Sequence, residues 1–153
     1  MIKRIVLGAI FALGTTAVAA QDAYVGLSLD YGRPHAGDNY AATGLLGGLR
    51  FGDSDLSYGA EVDVDLASGG PYDASRLRGT IYNDMGKLGL FAAVGATHYD
   101  LDAGGSETGI NYGLGADYEL YGNMTLRAEA IRDHMPDYTT DVTTLRIGVT
   151  FGF

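Results

Sequence analysis

Eight segments of this chain alternate apolar and polar residues, and that period of two constrains the fold more tightly than any other feature. The pattern is plainest in Thr144 to Phe153, where Leu145, Ile147, Val149, Phe151 and Phe153 share one face and polar or glycine residues share the other. Successive side chains of a strand point to opposite faces, so such a run is a strand with one apolar and one polar side.

The same alternation recurs upstream. Met124, Leu126, Ala128 and Ala130 oppose Thr125, Arg127 and Glu129, and Ile110 to Leu120 opposes Asn111 to Glu119. Leu88 to Ala96, Leu77 to Ile81, Tyr58 to Leu66, Leu45 to Phe51 and Val25 to Tyr31 complete the set of eight, with Leu46 breaking the polarity of its segment. Short connections at Gly52–Asp55, Asn83–Lys87 and Tyr121–Asn123 alternate with mostly longer ones at Arg33–Ala42, Ala67–Ala74, Asp100–Glu107 and Asp133–Asp141. An even number of up-and-down strands with short turns at one end and longer loops at the other predicts an all-β, eight-stranded antiparallel transmembrane barrel.

The first twenty residues stand apart. Lys3 and Arg4 precede the apolar run Ile5–Leu13, and Thr15 to Ala20 supplies the small residues of a cleavage site. This predicts a secretory signal peptide over residues 1–20 and a barrel domain over 21–153. The apolar run is well short of the roughly 20 residues that a spanning helix needs. The remaining 133 residues hold 8 basic and 19 acidic side chains, a formal charge of −11, and no cysteine. That excludes a disulfide framework and a basic nucleic-acid binder, and it suits an exported protein of a periplasm or outer membrane.

Alternation alone does not say which face meets water. A soluble barrel buries its apolar face, whereas a membrane barrel turns it outward. Side-chain size points to the second, because the polar face sets many glycines beside long arginines and carboxylates, and an eight-stranded interior has only enough room for side chains to fill it. Tyrosine and phenylalanine near the ends of the apolar face suggest two aromatic girdles, with Phe51, Tyr58, Tyr118 and Phe151 toward the short turns and Tyr31 and Tyr112 toward the loops. On the polar face, a register fixed by the loops sets Asp65 opposite Arg76, Asp63 opposite Arg78, Asp117 opposite Arg127 and Glu129 opposite Arg146. Opposed residues lie about 4.5–5.5 Å apart at Cβ, which predicts an interior ion-pair network. Asp30, Glu61 and Glu119 leave an acidic surplus that a water-filled channel would also explain, so a small porin stays open, as does an exported soluble barrel with an apolar ligand.

The segments Gly113–Leu120 and Asn123–Glu129, with the terminal Ile147–Phe153, resemble the small OmpA-like and OmpX-like outer-membrane barrels. The resemblance spans residues 21–153. It implies that Val149, Phe151 and Phe153 form the signal read by the barrel-assembly machinery, that periplasmic chaperones escort the chain, and that outer-membrane lipid and lipopolysaccharide surround a monomer. The short loops weaken any analogy with adhesin barrels.

Candidate chemistry is sparse. His35, His98 and His134 lie in or beside the longer connections but lack the spacing of a metal site. His35 with Asp73 and Ser75 is a conceivable catalytic group, yet without a diagnostic motif the expectation is no enzyme, no cofactor and no metal. An acidic rim of Asp38, Asp73, Asp100, Asp102, Glu107, Asp137 and Asp141 suits either solubility or divalent bridging to lipopolysaccharide phosphates.

Overall fold

The computed structural model describes residues 22–52, 55–68, 72–101, 104–136 and 141–153; the expected signal peptide lies outside them, as do Asp102 and Asp137. The eight strands are β1 (Asp22–Pro34), β2 (Tyr40–Phe51), β3 (Leu56–Ser68), β4 (Tyr72–Met85), β5 (Leu88–Leu101), β6 (Ser106–Tyr121), β7 (Met124–His134) and β8 (Val142–Gly152). Each pairs antiparallel with its sequence neighbour, and β8 pairs back onto β1 to close the barrel. Closure leaves no edge strand, the condition that lets a sheet cross a bilayer.

Two of the short turns rest on glycine. Gly86 and Gly122 lead two-residue connections at φ 71° and 59°, in the left-handed region that only glycine enters freely. Both chain ends of the barrel lie at this turn end, where Ala23 and Phe153 exchange backbone hydrogen bonds of 3.4 and 2.9 Å.

The strands run further toward the loop end than the apolar alternation reaches. β1 continues to Pro34, β3 to Ser68, β5 to Leu101 and β7 to His134. One register expectation is corrected as a result. Asp63 is the ladder partner of Arg76, Glu61 of Arg78, and Asp65 of Ala74, so Asp65 does not oppose Arg76 and Asp63 does not oppose Arg78. The β3–β4 connection is shorter than Ala67–Ala74, which slides the ladder by two residues, and a slide of two keeps every side chain on its face.

The faces are inverted relative to a water-soluble protein. Among the described residues, 24 large apolar side chains are exposed, including Leu114 at 70% and Ile147 at 54%, while 18 polar or charged residues are buried against 13 apolar ones. Water-soluble monomers rarely expose apolar surface on that scale, and with the charged residues inside there is no apolar interior for the soluble barrel with an apolar ligand. Leu46 and Ile131, each 1% exposed, and Val142 at 0% are large aliphatic side chains that turn inward within the strands.

Candidate functional site

The lumen is filled in tiers, each built by residues two apart on neighbouring strands. At the loop end Tyr72 stacks on Tyr99 with ring centroids 4.2 Å apart, and Tyr40 meets Tyr72 edge-on at 5.4 Å. Met135 and Val142 pack against them. Aromatic pairs at these separations gain energy beyond their burial, and together they cap the charged interior.

Beneath that cap, Arg76 grips Asp133 with two parallel bonds, Nε to Oδ1 at 3.0 Å and Nη2 to Oδ2 at 2.8 Å. Thr97 and Tyr99 donate to the same carboxylate at 2.6 and 2.9 Å. The remaining arm of Arg76 reaches Asp63 at 2.9 Å and also bonds Asp65. Arg146 holds Asp30 through Nε and Nη2, and its Nη2 reaches Asp65 at 2.8 Å and Asp63 at 3.1 Å.

One tier lower Arg78 donates to Glu61 at 3.1 Å and to both oxygens of Glu129. Below it Arg127 clasps Asp117 through Nε and Nη2, both at 2.8 Å, and bonds Glu61. Tyr24 donates to Glu61 at 2.7 Å, and the Arg127 guanidinium lies 4.4 Å from the Phe91 ring centre. Four guanidiniums thus serve seven carboxylates. A planar guanidinium with five donors in a fixed fork bridges several acids in a way that lysine does not.

Glycine makes the room. A Cβ on Gly113 would lie 2.7 Å from Glu129 Oε1 and 2.8 Å from Arg78 Nη2, and one on Gly115 would lie 2.3 Å from the Phe91 ring. Small residues beneath large ones are how so narrow a barrel closes its interior.

All eight residues expected in the network converge in the lumen. Asp117 faces Arg127 and Glu129 faces Arg146 in the ladder, although the guanidinium nearest Glu129 is that of Arg78 and Arg146 stands 3.8 Å away. Asp63 and Arg78 are likewise 3.8 Å apart. Asp30 and Glu61, read as surplus acids, are fully engaged, whereas Glu119 is exposed at the turn end. Asp133 belongs to the network although sequence reasoning assigned it to a loop. The signal that would have found it is Ile131-Arg132-Asp133, where inside and outside continue to alternate while polarity does not.

At the turn end the filling stops. Arg50 pairs with Asp84, bonds Ser57 at 2.6 Å and lies 4.5 Å from the Tyr82 ring centre. A cavity of about 590 Å³ opens there, floored by Tyr24, Tyr82 and Arg127 and rimmed by Lys87 and Glu119.

The outer face carries the expected girdle residues. Tyr58, Tyr118 and Phe151 are exposed near the turns, Phe51 stacks on Tyr58 at 5.8 Å, and Tyr31 and Tyr112 are exposed toward the loops. Phe151 and Phe153 project outward with Val149 half-buried between strands. The group His35, Asp73 and Ser75 does not form, because His35 lies past the end of β1 while Asp73 and Ser75 sit on β4, with β2 and β3 intervening. Ser75 is instead the ladder partner of His98, which bonds Thr108 at 3.0 Å. Of the acidic rim, Asp38 and Asp100 are exposed, but Glu107 is buried. Among the described residues, no three acids or histidines gather as metal ligands.

Solved structures share this architecture. Ail, the attachment invasion locus protein of Yersinia pestis, superposes with a TM-score of 0.63 at 13% identity over 86% of this chain and 97% of that one. Neisserial surface protein A gives 0.59 at 12% identity over 86% and 96%. The outer membrane enzyme PagL gives 0.56 at 9% identity over 82% and 98%. No protein-family model matches the sequence, and no curated protein matches it. The chain has the fold of the small eight-stranded outer-membrane β-barrels, the fold that the OmpA-like and OmpX-like resemblance implies. Its apolar outer face is that of an integral membrane barrel.

Proposed function

We propose that this protein is a non-enzymatic, monomeric barrel of a Gram-negative outer membrane, serving envelope integrity rather than transport. The observation that carries the reading is the lumen, where four arginines and seven carboxylates interlock under a tyrosine cap and leave no charged tier unbridged. Export by the signal peptide, escort by periplasmic chaperones and recognition of Val149, Phe151 and Phe153 by the assembly machinery belong to the same proposal, as does a surrounding shell of lipid and lipopolysaccharide. Planar-bilayer recording tests it. The expected result is no sustained conductance. Steady nanosiemens currents would instead support a small porin, a reading favoured by the acid surplus and by the open cavity at the turn end. Unchanged acylation of lipid A on overexpression is expected of a barrel without enzymatic activity.

A further inference from the structure

The barrel has eight basic side chains, and the fold sorts them by place. Arg76, Arg78, Arg127 and Arg146 are shut in the lumen, and Arg50 and Lys87 line the turn-end cavity. The two that remain, Arg33 and Arg132, belong to strands on either side of β8. Thr143 is the ladder partner of both.

Alternation turns this row outward. Gly32, Ile131, Val142 and Thr144 face in, so Arg33, Arg132 and Thr143 face out. Arg33 and Arg132 are two strand spacings apart, about 10 Å at Cα, and long basic side chains reach along a surface toward a shared anion. Two residues further down the same strands lie Tyr31, Leu145 and Ala130, and below them Leu29, Ile147 and Ala128. The cationic row therefore sits directly above apolar columns. From Ala23 to Arg33 is ten residues of β1, about 34 Å along the strand and about 26 Å along the barrel axis at the usual tilt, which matches the apolar band of about 25 Å. Arg33 and Arg132 stand at headgroup level on the loop side.

Their immediate surroundings are built for an anion. Arg132 donates to Thr143 Oγ1 at 2.7 Å and to Asp141 Oδ2 at 2.9 Å, and the other oxygen of Asp141 meets His134 Nδ1 at 2.8 Å. The one acid in the group thus has both oxygens occupied, holding Arg132 and His134 in place. Thr143 accepts from Arg132 and keeps its own hydrogen to donate. Among the described residues no carboxylate pairs with Arg33. His35 lies beside Asp141, whose carbonyl accepts its backbone N–H at 2.8 Å.

We infer that Arg33 and Arg132, with Thr143 between them, bind a phosphate group of an outer-leaflet glycolipid, the lipid A moiety of lipopolysaccharide. Direct guanidinium contact makes the lipid a specific partner without a bridging metal. The inference rests on the outer-membrane placement proposed above, and it does not depend on whether the lumen conducts.

Native mass spectrometry of the detergent-solubilised barrel titrated with bis-phosphorylated lipid A tests it. Arg33→Gln with Arg132→Gln should weaken binding about tenfold, the worth of one charge-assisted contact. Dephosphorylated lipid A should bind the unaltered protein as weakly as phosphorylated lipid A binds the double variant, and Lys87→Gln at the opposite end should change nothing. If the double variant fails to fold, Arg33→Gln alone serves, and a severalfold loss is expected. Retained affinity in the variants, equal binding of dephosphorylated lipid A, or equal binding of phosphatidylglycerol would each overturn the assignment. Conductance, which these variants leave untouched, reports separately on the sealed lumen.

Discussion

The two ends of the lumen solve the same problem differently. Toward the loops, Arg76 and Arg146 share Asp30, Asp63, Asp65 and Asp133 at side-chain exposures of 6% or less, beneath stacked tyrosines. Toward the turns, Arg50 and Asp84 make one pair at 22% and 38% exposure beside an open cavity. Ion pairs out of water cost desolvation and are strongly interdependent, whereas wet ones are screened and nearly independent. The loop half should therefore behave as one cooperative unit, and the turn end as a set of dispensable contacts.

The largest expected effect is from Arg76→Met, which strands Asp133 without a cation and leaves Asp63 and Asp65 to Arg146. Urea unfolding in lipid vesicles should show a loss of about 3–5 kcal/mol. Adding Asp133→Asn to that variant should recover part of it, and a double variant less stable than Arg76→Met alone would break the cooperative picture. Next comes Gly113→Ala, which pushes a methyl group against Arg78 and Glu129 and should cost about 1–3 kcal/mol by the same assay. Arg50→Gln should cost about 0–1 kcal/mol, shrinking further in high salt.

The smallest effect is at the outer rim. The hydrogen bond from Arg132 holds the Asp141 carboxyl below the usual carboxylate range, with His134 adding to it. A depressed folded value means that this carboxylate's contribution is present above its unfolded pKa of about 3.9 and is lost as pH falls through the lower folded value. Carboxyl-carbon NMR of the folded barrel should place the Asp141 midpoint below 3.9, and Arg132→Gln should move it up.

Much of this was legible beforehand because lipid and lumen impose opposite polarities on alternating residues. Leu145 to Phe153 and Ile110 to Leu120 declare strands with one apolar and one polar face, and the glycines set beside long charged side chains on the polar face turn that face inward. Legibility fails at the loop-end rim, where both faces meet water or protein and the contrast fades although the ladder continues. Asp133 was lost there for that reason, as was the true end of β3, and with it the register of Asp63 and Asp65 against Arg76 and Arg78. The tyrosine cap was equally silent, since Tyr40, Tyr72 and Tyr99 are scattered over sixty residues and only the β4–β5 register and the curvature of the sheet across β3 bring them together.

The central claim is that apolar residues face lipid while ionised ones fill the interior. Because the chain has no native cysteine, single cysteines at Leu29, Leu114 and Ile147, and at the inward positions Ser28 and Thr144, can be spin-labelled cleanly in vesicles. The first three should be relaxed by lipid-dissolved oxygen and shielded from an aqueous nickel reagent, and the inward pair should be shielded from both. Nickel access at Leu29, Leu114 and Ile147, with oxygen access at Ser28 and Thr144, would contradict the account.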